Sequence, residues 1–418
     1  MHRFIIFLSC LPLGVVVALS VGACKKREFR GDLASVDIPQ SEVKNKKKIG
    51  FCWAYATTDF LESEYKKTRG GTINLSEEAL GFYRIAEHLL EIVKGSKSDQ
   101  EIITKIGCQR FQGLHILKVN DRQRSGGFEL AEQYGVIPED VYSVKFETET
   151  QRTDTILGIR ERMRFLLERK SRDSITQEDI ETQVIVKPPQ SQSRPSNFVK
   201  RPPVFFDYEG RRWTAKEFFN SKFDVTSSRF VKLEFNSIDE YPRFVTLVKK
   251  TLASGTSVPF GFGVDRNYLF QEGGVTVFSG KRSVFDPSSV EDPYPPKPDP
   301  LKESGCPPKV MRAFAQGKHA VVITDFVNEG GMEGGLGSSD DLQREVARPA
   351  SELVYLKVKN NWGIDEAGDE EGSSWLSSKD GYYRVDRQYI IGHLEAGISM
   401  NIIVPRAIVE AIHVHGGM

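Results

Sequence analysis

Cys52 is the residue best placed for chemistry. It stands in Gly50-Phe51-Cys52-Trp53-Ala54-Tyr55-Ala56, where Trp53, Ala56 and Phe60 recur at helical spacing and Gly70-Gly71 end the pattern. The first turn of a helix carries unpaired N–H groups and partial positive charge. Both favour the thiolate, the nucleophilic form of cysteine. A lone cysteine is more often a buried structural residue, but a position just after a glycine at a helix start favours the reactive reading. The remaining cysteines, at 10, 24, 108 and 306, bring the total to five in 418 residues, which is not a disulfide framework. Cys108 and Cys306 could pair in an oxidising compartment, and their spacing leaves this open. His413 and His415 in HVHGG, and the acidic run 365–371, are candidate metal ligands, but an exposed tail and a solvated loop are the simpler readings. No metal and no cofactor is therefore expected, and no Walker loop, dinucleotide fingerprint or zinc spacing occurs.

The chain is long enough to bury a sizeable core around such a site. Hydrophobic residues make up 39% and charged residues 27%, and 57 basic residues balance 57 acidic ones. This neutral balance gives no reason to expect a nucleic acid partner. From Gly50 to about Tyr142 the pattern is helical. Ser76 is set to cap a second helix with the apolar face Ala79, Tyr83, Ala86, Leu90 and Val93, and a third helix runs through GGFELAEQYG. Residues 145–228 are charged and Gln/Ser/Thr-rich around one helix, ILGIRERMRFLLERK, and read as an insertion. From 229 to 418 the segments RFVKLEF, VPFGFGV, GVTVFSG, HAVVITDF, LVYLKVKN and YYRVD read as strands. Helices first and strands later predict an α+β protein.

The N-terminus carries a separate message. Residues 4–23 are almost wholly apolar, between Arg3 and Lys25-Lys26-Arg27, as in a secretory signal. Val21-Gly22-Ala23-Cys24 resembles the lipobox of bacterial lipoproteins. That resemblance implies a signal peptide over 1–23, acyl chains on Cys24 holding the protein to a membrane, and a polar tether over 24–42. Lys25 rather than aspartate after the cysteine favours the outer membrane within the cell envelope. The alternatives are another cleaved signal, giving a secreted or periplasmic protein, and an uncleaved anchor, since twenty apolar residues can span a bilayer. The basic cluster after the run fits a cytoplasmic body in the anchor case.

IGFCWAYATTDFLE resembles the nucleophile segment of papain-like cysteine peptidases, although Ile49 stands where that family has a further cysteine. Three later segments follow in the family's order. Gly317-Lys318-His319-Ala320-Val321 resembles its His-Ala strand, Lys357-Val358-Lys359-Asn360-Asn361-Trp362-Gly363 its Lys-Asn-Ser-Trp-Gly segment, and Gly381-Tyr382-Tyr383-Arg384 its Gly-Tyr-x-Arg strand. The resemblance implies Cys52 as nucleophile, His319 as its ion-pair partner and proton donor, and Asn360 as the group that orients the imidazole. It also implies Trp362 shielding that contact, Gly126-Gly127 lying along a peptide or protein substrate, and a two-lobed fold with a helical lobe (43–144) packed on an antiparallel β-barrel-like lobe (229–418). On its own, a histidine opening an apolar strand is more often a satisfied core residue.

Two departures matter. Lys46 occupies the place of the glutamine that helps to form the family's oxyanion hole, and loss of one such donor costs ~10²–10³ in rate. Cys52 and His319 are 267 positions apart, against roughly 130–150 in compact members. Large insertions, YEGRRWTAKEFFNSKF and LASGTSVPFGFGVD resemble the bleomycin hydrolase and aminopeptidase C branch. The expected function is thiol-dependent peptide hydrolysis at the cell envelope. The alternatives are a catalytically weak or inactive papain-like module that binds peptides or envelope proteins, and another Cys-His enzyme such as an amidase or transglutaminase.

Overall fold

The computed structural model describes residues 38, 40–44, 51–107, 126–144, 149–186, 196–264, 269–272, 275–278, 317–330, 339–360 and 381–415. All of them fall within one unit, Asp32–Met418.

Helix α1 (Cys52–Arg69) ends at Gly70, whose φ of 73° suits glycine and whose N–H donates to Lys66 O at 2.9 Å. Helix α2 (Glu77–Gly95) is capped as its sequence predicts, with Ser76 Oγ accepting from Ala79 N–H, and Glu77 and Glu78 lie in its first turn. Of the expected face, Ala79, Ala86 and Val93 are buried and Tyr83 and Leu90 half-buried, and the buried face extends to Leu80, Phe82, Ile85 and Leu89. Helix α3 (Asp99–Gly107) follows, and α4 (Gly127–Tyr134) stops at Gly135. Next come α5 (Glu149–Leu167) and the short α6 (Gln177–Asp179), which runs into a π-helical turn at Ile180–Ile185. A hairpin, β1 (Phe205–Tyr208) and β2 (Arg211–Thr214), then leads into α7 (Ala215–Lys222).

These elements share one core, in which Phe60, Leu80, Phe128, Met163, Phe198 and Phe218 are buried together. The described part of 145–228 therefore builds the same interior as α1 and α2. The charged composition of that stretch hid the apolar residues that anchor it.

The second core lies on an eight-stranded sheet. Its strands are β3 (Phe230–Phe235), β4 (Val258–Val264), β5 (Leu269–Glu272), β6 (Val275–Phe278), β7 (Gly317–Asn328), β8 (Leu353–Lys359), β9 (Tyr382–Asp386) and β10 (Met400–Pro405). They are ordered β3-β10-β4-β7-β8-β9-β6-β5. Four helices accompany them: α8 (Tyr241–Ala253), α9 (Ser339–Ala347), α10 (Arg387–Glu395) and α11 (Arg406–His415). Helix α8 packs on β4, β7 and β10, and α10 packs on β8 and β9. The positions of His413 and His415, expected in a loose tail, thus fall within α11.

The expected β-barrel-like, antiparallel arrangement needs correction. The sheet is open, with β3 and β5 as its two edges, and β6 pairs with β9 in parallel. Alternation identifies strands, but it does not say whether the edge strands meet, and a parallel pair forms only through a long crossover that the local pattern does not reveal.

Helix α1 is buried nearly all round from Cys52 to Ser63, because it lies between the first core and strand β7, against which it packs. Residues 38 and 40–44, expected mostly as tether, strap across both cores. Ile38 is buried in the second core and its N–H reaches Thr324 O at 3.5 Å, while Gln40 Nε2 donates to Ser63 Oγ at 3.2 Å.

Gly127 sits against α1 so closely that a Cβ would lie 2.0 Å from Thr57 Oγ1, a hydroxyl that already donates to Trp53 O. Gly127→Ala is expected to cost about 1–3 kcal/mol through overpacking. Thermal denaturation of Gly127→Ala with and without Thr57→Ala checks this, and partial recovery in the double variant is the expected sign.

Candidate active site

His319 and Asn360 come together through the antiparallel pairing of β7 and β8. The register ends with Val322 opposite Lys359. One step further puts Asn360 opposite Val321 and diagonal to His319, within side-chain reach. Side chains alternate across a strand. Ala320 and Val322 face the first core, whereas Val321 and Ile323 face the second, so His319 and Asn360 share the latter face.

His319 Nε2 lies 3.2 Å from Asn360 Oδ1, and both residues are buried. With the amide oxygen facing the ring, this contact requires the proton on Nε2. It leaves Nδ1 as the nitrogen able to take a proton from an acid. Asn360 is fixed in turn by its N–H to Gly381 O at 3.0 Å. Phe262, opposite His319 across β4 and β7, sets its ring edge-on at 6.1 Å and helps to exclude water from that side.

Cys52 begins α1 and is in no disulfide. The helix is initiated by Phe51 O, which accepts from Ala54 and Tyr55 N–H at 2.8 and 3.1 Å. The nucleophile candidate therefore sits at the N-terminus of a buried helix packed on the strand of the base candidate. Such an arrangement can stabilise a thiolate and hold an imidazole in a defined tautomer.

Beneath α1 lies a charged network. Lys44 Nζ bonds Glu62 Oε1 (2.8 Å), Glu77 Oε1 (2.6 Å) and Leu75 O (2.6 Å), and Thr58 Oγ1 donates to the same Glu77 oxygen at 2.7 Å. Burial works against the Lys44 ammonium, but Glu77 and Glu62 outweigh it and its pKa is raised. Burial pushes Glu77 up to about 8 against the pull of Lys44, and Glu78 up to about 7. A second pair, Lys359 and Asp59, is wholly buried between β8 and α1, with 2.5 Å between Lys359 Nζ and Asp59 Oδ1. Burial raises the Asp59 carboxyl above its usual range, with Lys359 opposing. Sequence reasoning passed over Lys44, Asp59, Glu62 and Lys359 as buried charges, although Asp59 and Glu62 stand out among the apolar positions of ATTDFLE.

Of the other expected site residues, Gly126 has φ 51° and ends as the cap of α4, and Gly127 is the first residue of that helix. This part of the Gly-Gly segment is thus a turn into a helix rather than an extended strand: Gly126 takes the positive φ of the turn, and Thr57 leaves no room for a Cβ at Gly127. Lys46, Trp362, Cys24, Cys10, Cys108, Cys306, the acidic run 365–371 and the segment 1–23 lie outside the described residues.

His393 on α10 braces the strand beside His319. Its Nε2 lies 2.9 Å from Gly263 O, which also accepts from Tyr389 OH at 2.9 Å, and its Nδ1 lies 3.0 Å from Tyr389 O. Two carbonyl neighbours favour an imidazolium, but burial prevails and lowers the pKa to about 4. A depressed histidine pKa gives stability that is present above the unfolded value near 6.5 and lost as pH falls through 4. Wild type is expected to lose on the order of 3 kcal/mol from this group over that range. Urea titrations of wild type and His393→Gln check this, the variant showing a flatter pH dependence.

Residues 20–250, just over half of the chain, match the family described as Peptidase C1-like. No curated protein sequence matches. Among solved structures, pepW from Lactobacillus rhamnosis shares 14% identity at a TM-score of 0.51, covering 92% of this chain and 85% of its own. Bromelain from Ananas comosus in complex with the E64 inhibitor also shares 14% identity, at a TM-score of 0.32 over 88% of this chain and 93% of its own. Procathepsin L 3 of Tenebrio molitor shares 14% at 0.33, over 90% and 70%. The chain belongs to the Peptidase C1-like, papain-like family.

Proposed function

We propose that the protein hydrolyses peptide bonds, with Cys52 as nucleophile, His319 as general base and then acid, and Asn360 holding the imidazole. The contact between His319 Nε2 and Asn360 Oδ1, on the strand packed against the Cys52 helix, carries this reading. The Cys52 thiolate attacks the scissile carbonyl, and the imidazolium gives its proton to the leaving amine. Water, deprotonated by the imidazole, then opens the thioester. The backbone N–H of Cys52 and the Lys46 ammonium are the oxyanion donors in this scheme, and Trp362 covers the His319–Asn360 contact. Substrate peptide lies by Gly126 and Gly127, in the cleft between two lobes built on the two cores. The long span before His319 fits the bleomycin hydrolase and aminopeptidase C branch. The apolar run 4–23 ending in Val21-Gly22-Ala23-Cys24 supports a lipid-anchored protein of the bacterial cell envelope.

Labelling with an epoxide electrophile tests the reaction. Wild type is expected to take up one equivalent near neutral pH, and Cys52→Ala none. Labelling gained only in Lys46→Gln would favour the catalytically weak, peptide-binding alternative. No labelling in any folded variant would sink the hydrolase reading.

A further inference from the structure

The Lys359–Asp59 pair does a job that the apolar packing cannot do. Contacts between α1 and β7 run through residues such as Ala320 and Val322 in the first core. Apolar contacts are non-directional, so they resist separation of helix and strand far better than sliding along one another. A charge pair buried on both sides is different. Lys359 is 0% and Asp59 2% exposed, and displacing one from the other leaves an uncompensated buried charge, at a penalty large enough to fix the register.

The place of the pair gives that register a consequence. Asp59 is seven residues beyond Cys52, two turns along the same face and about 10 Å down the helix axis. Lys359 is joined by one peptide bond to Asn360, the partner of His319. The alternation of β8 turns Lys359 towards α1 and Asn360 towards the imidazole. The same ammonium also donates to Ser41 Oγ at 2.7 Å, tying in the strap that crosses both cores. Another link between α1 and the sheet half, from Lys67 Nζ to Ser254 O and Thr256 Oγ1 at 3.2 and 3.4 Å, lies four turns from Cys52 at the exposed end of the helix, where water weakens it.

We infer that Lys359 and Asp59 are positioning residues for the proposed reaction: their buried ion pair sets where the Cys52 helix stands along the strands that carry His319 and Asn360. Neutral replacement of a buried pair is often tolerated or stabilising, so stability alone does not require these charges here. What the pair adds is a fixed axial position of the thiol relative to the imidazole. A displacement on the order of 1 Å in such a constellation can cost about 10²-fold in rate. This inference rests on the Cys52–His319 reading above.

The test is the pH dependence of Cys52 alkylation by iodoacetamide, which needs no substrate. It compares wild type, His319→Ala and the neutral double variant Asp59→Asn/Lys359→Met, with folding checked by circular dichroism and Tm. At mildly acidic pH, wild type is expected to be alkylated faster than His319→Ala. The double variant, folded, is expected to show about 10- to 100-fold slower alkylation than wild type under mildly acidic conditions. A folded double variant with the wild-type profile would overturn the inference while leaving the catalytic reading intact. A wild-type profile indifferent to His319→Ala would overturn both. Should the double variant not fold, Lys359→Arg keeps the charge on a longer, planar head. It is expected to slow alkylation likewise, and an unchanged rate would again overturn the inference.

Discussion

His319→Ala is expected to lower peptide hydrolysis by about 10³-fold or more while leaving the fold intact. In catalytic sets that act as a unit, removing one member costs nearly as much as removing all of them. In the proposed reaction His319 both maintains the thiolate and protonates the leaving amine, so its loss would affect acylation twice. Asn360→Ala is expected to cost less, on the order of 10-fold to 10²-fold, because the imidazole survives but loses the acceptor that selects its tautomer. The two variants differ in kind as well as size. Asn360→Ala keeps the imidazole that serves as proton donor, so the alkaline limb of its pH–rate profile persists, whereas His319→Ala abolishes that limb. Steady-state kinetics across pH on a fluorogenic peptide separates these outcomes. Equal loss in both variants, with no change in profile, would contradict the assigned roles.

Lys44→Met is expected to produce the largest effect on stability. It leaves Glu62 and Glu77, both buried, without their cation, and breaking a buried charge cluster from one side costs about 3–5 kcal/mol. The loss depends on pH. Glu77 holds its proton up to about 8 in the folded protein, above the unfolded carboxyl range. Its contribution is therefore fully present below the unfolded pKa and lost as pH rises through the folded one. Removing Lys44 raises the folded pKa further, so the deficit is largest in alkaline solution and smallest near pH 5. Urea denaturation of wild type and Lys44→Met at about pH 5 and about pH 8.5 measures the difference. A deficit that shrinks with rising pH would show that the carboxylates are not the cause.

The sequence made some of this legible and hid the rest for physical reasons. Helix ends were readable because Gly70 and Ser76 act locally, through one backbone angle and one side-chain bond. Strands β4, β7 and β8 were readable because their apolar runs are continuous and bounded. Their order was not, since β10 enters between β3 and β4 and β6 runs parallel to β9, and pairing is a long-range choice. The face of α2 was legible in part, with Ala79, Ala86 and Val93 buried as expected, but periodicity does not say which neighbour covers the rest of the stripe. At the site, Cys52 could be singled out from its position at a helix start. His319 and Asn360 needed a family resemblance, because nothing local distinguishes a histidine on a strand from a packed one. Lys44, Asp59 and Lys359 escaped notice because charged residues are read by default as solvated, and only the tertiary arrangement takes them out of water.

The position of β10 bears on how the chain comes to be assembled. Residues 400–405 occupy an interior slot of the sheet, bonded to β3 on one side and β4 on the other, although β3 and β4 are made some 170 and 140 positions earlier. During synthesis from the N-terminus, those two earlier strands must wait with a gap between them, exposing edges that can pair wrongly with each other or with another chain. Completion of the sheet, and with it the setting of β7 and β8 against the nucleophile helix, is thus deferred until nearly the whole chain is available. A nascent or truncated chain lacking 400–405 would carry every residue of the proposed catalytic set without the completed sheet, so the topology would delay the onset of the proposed activity.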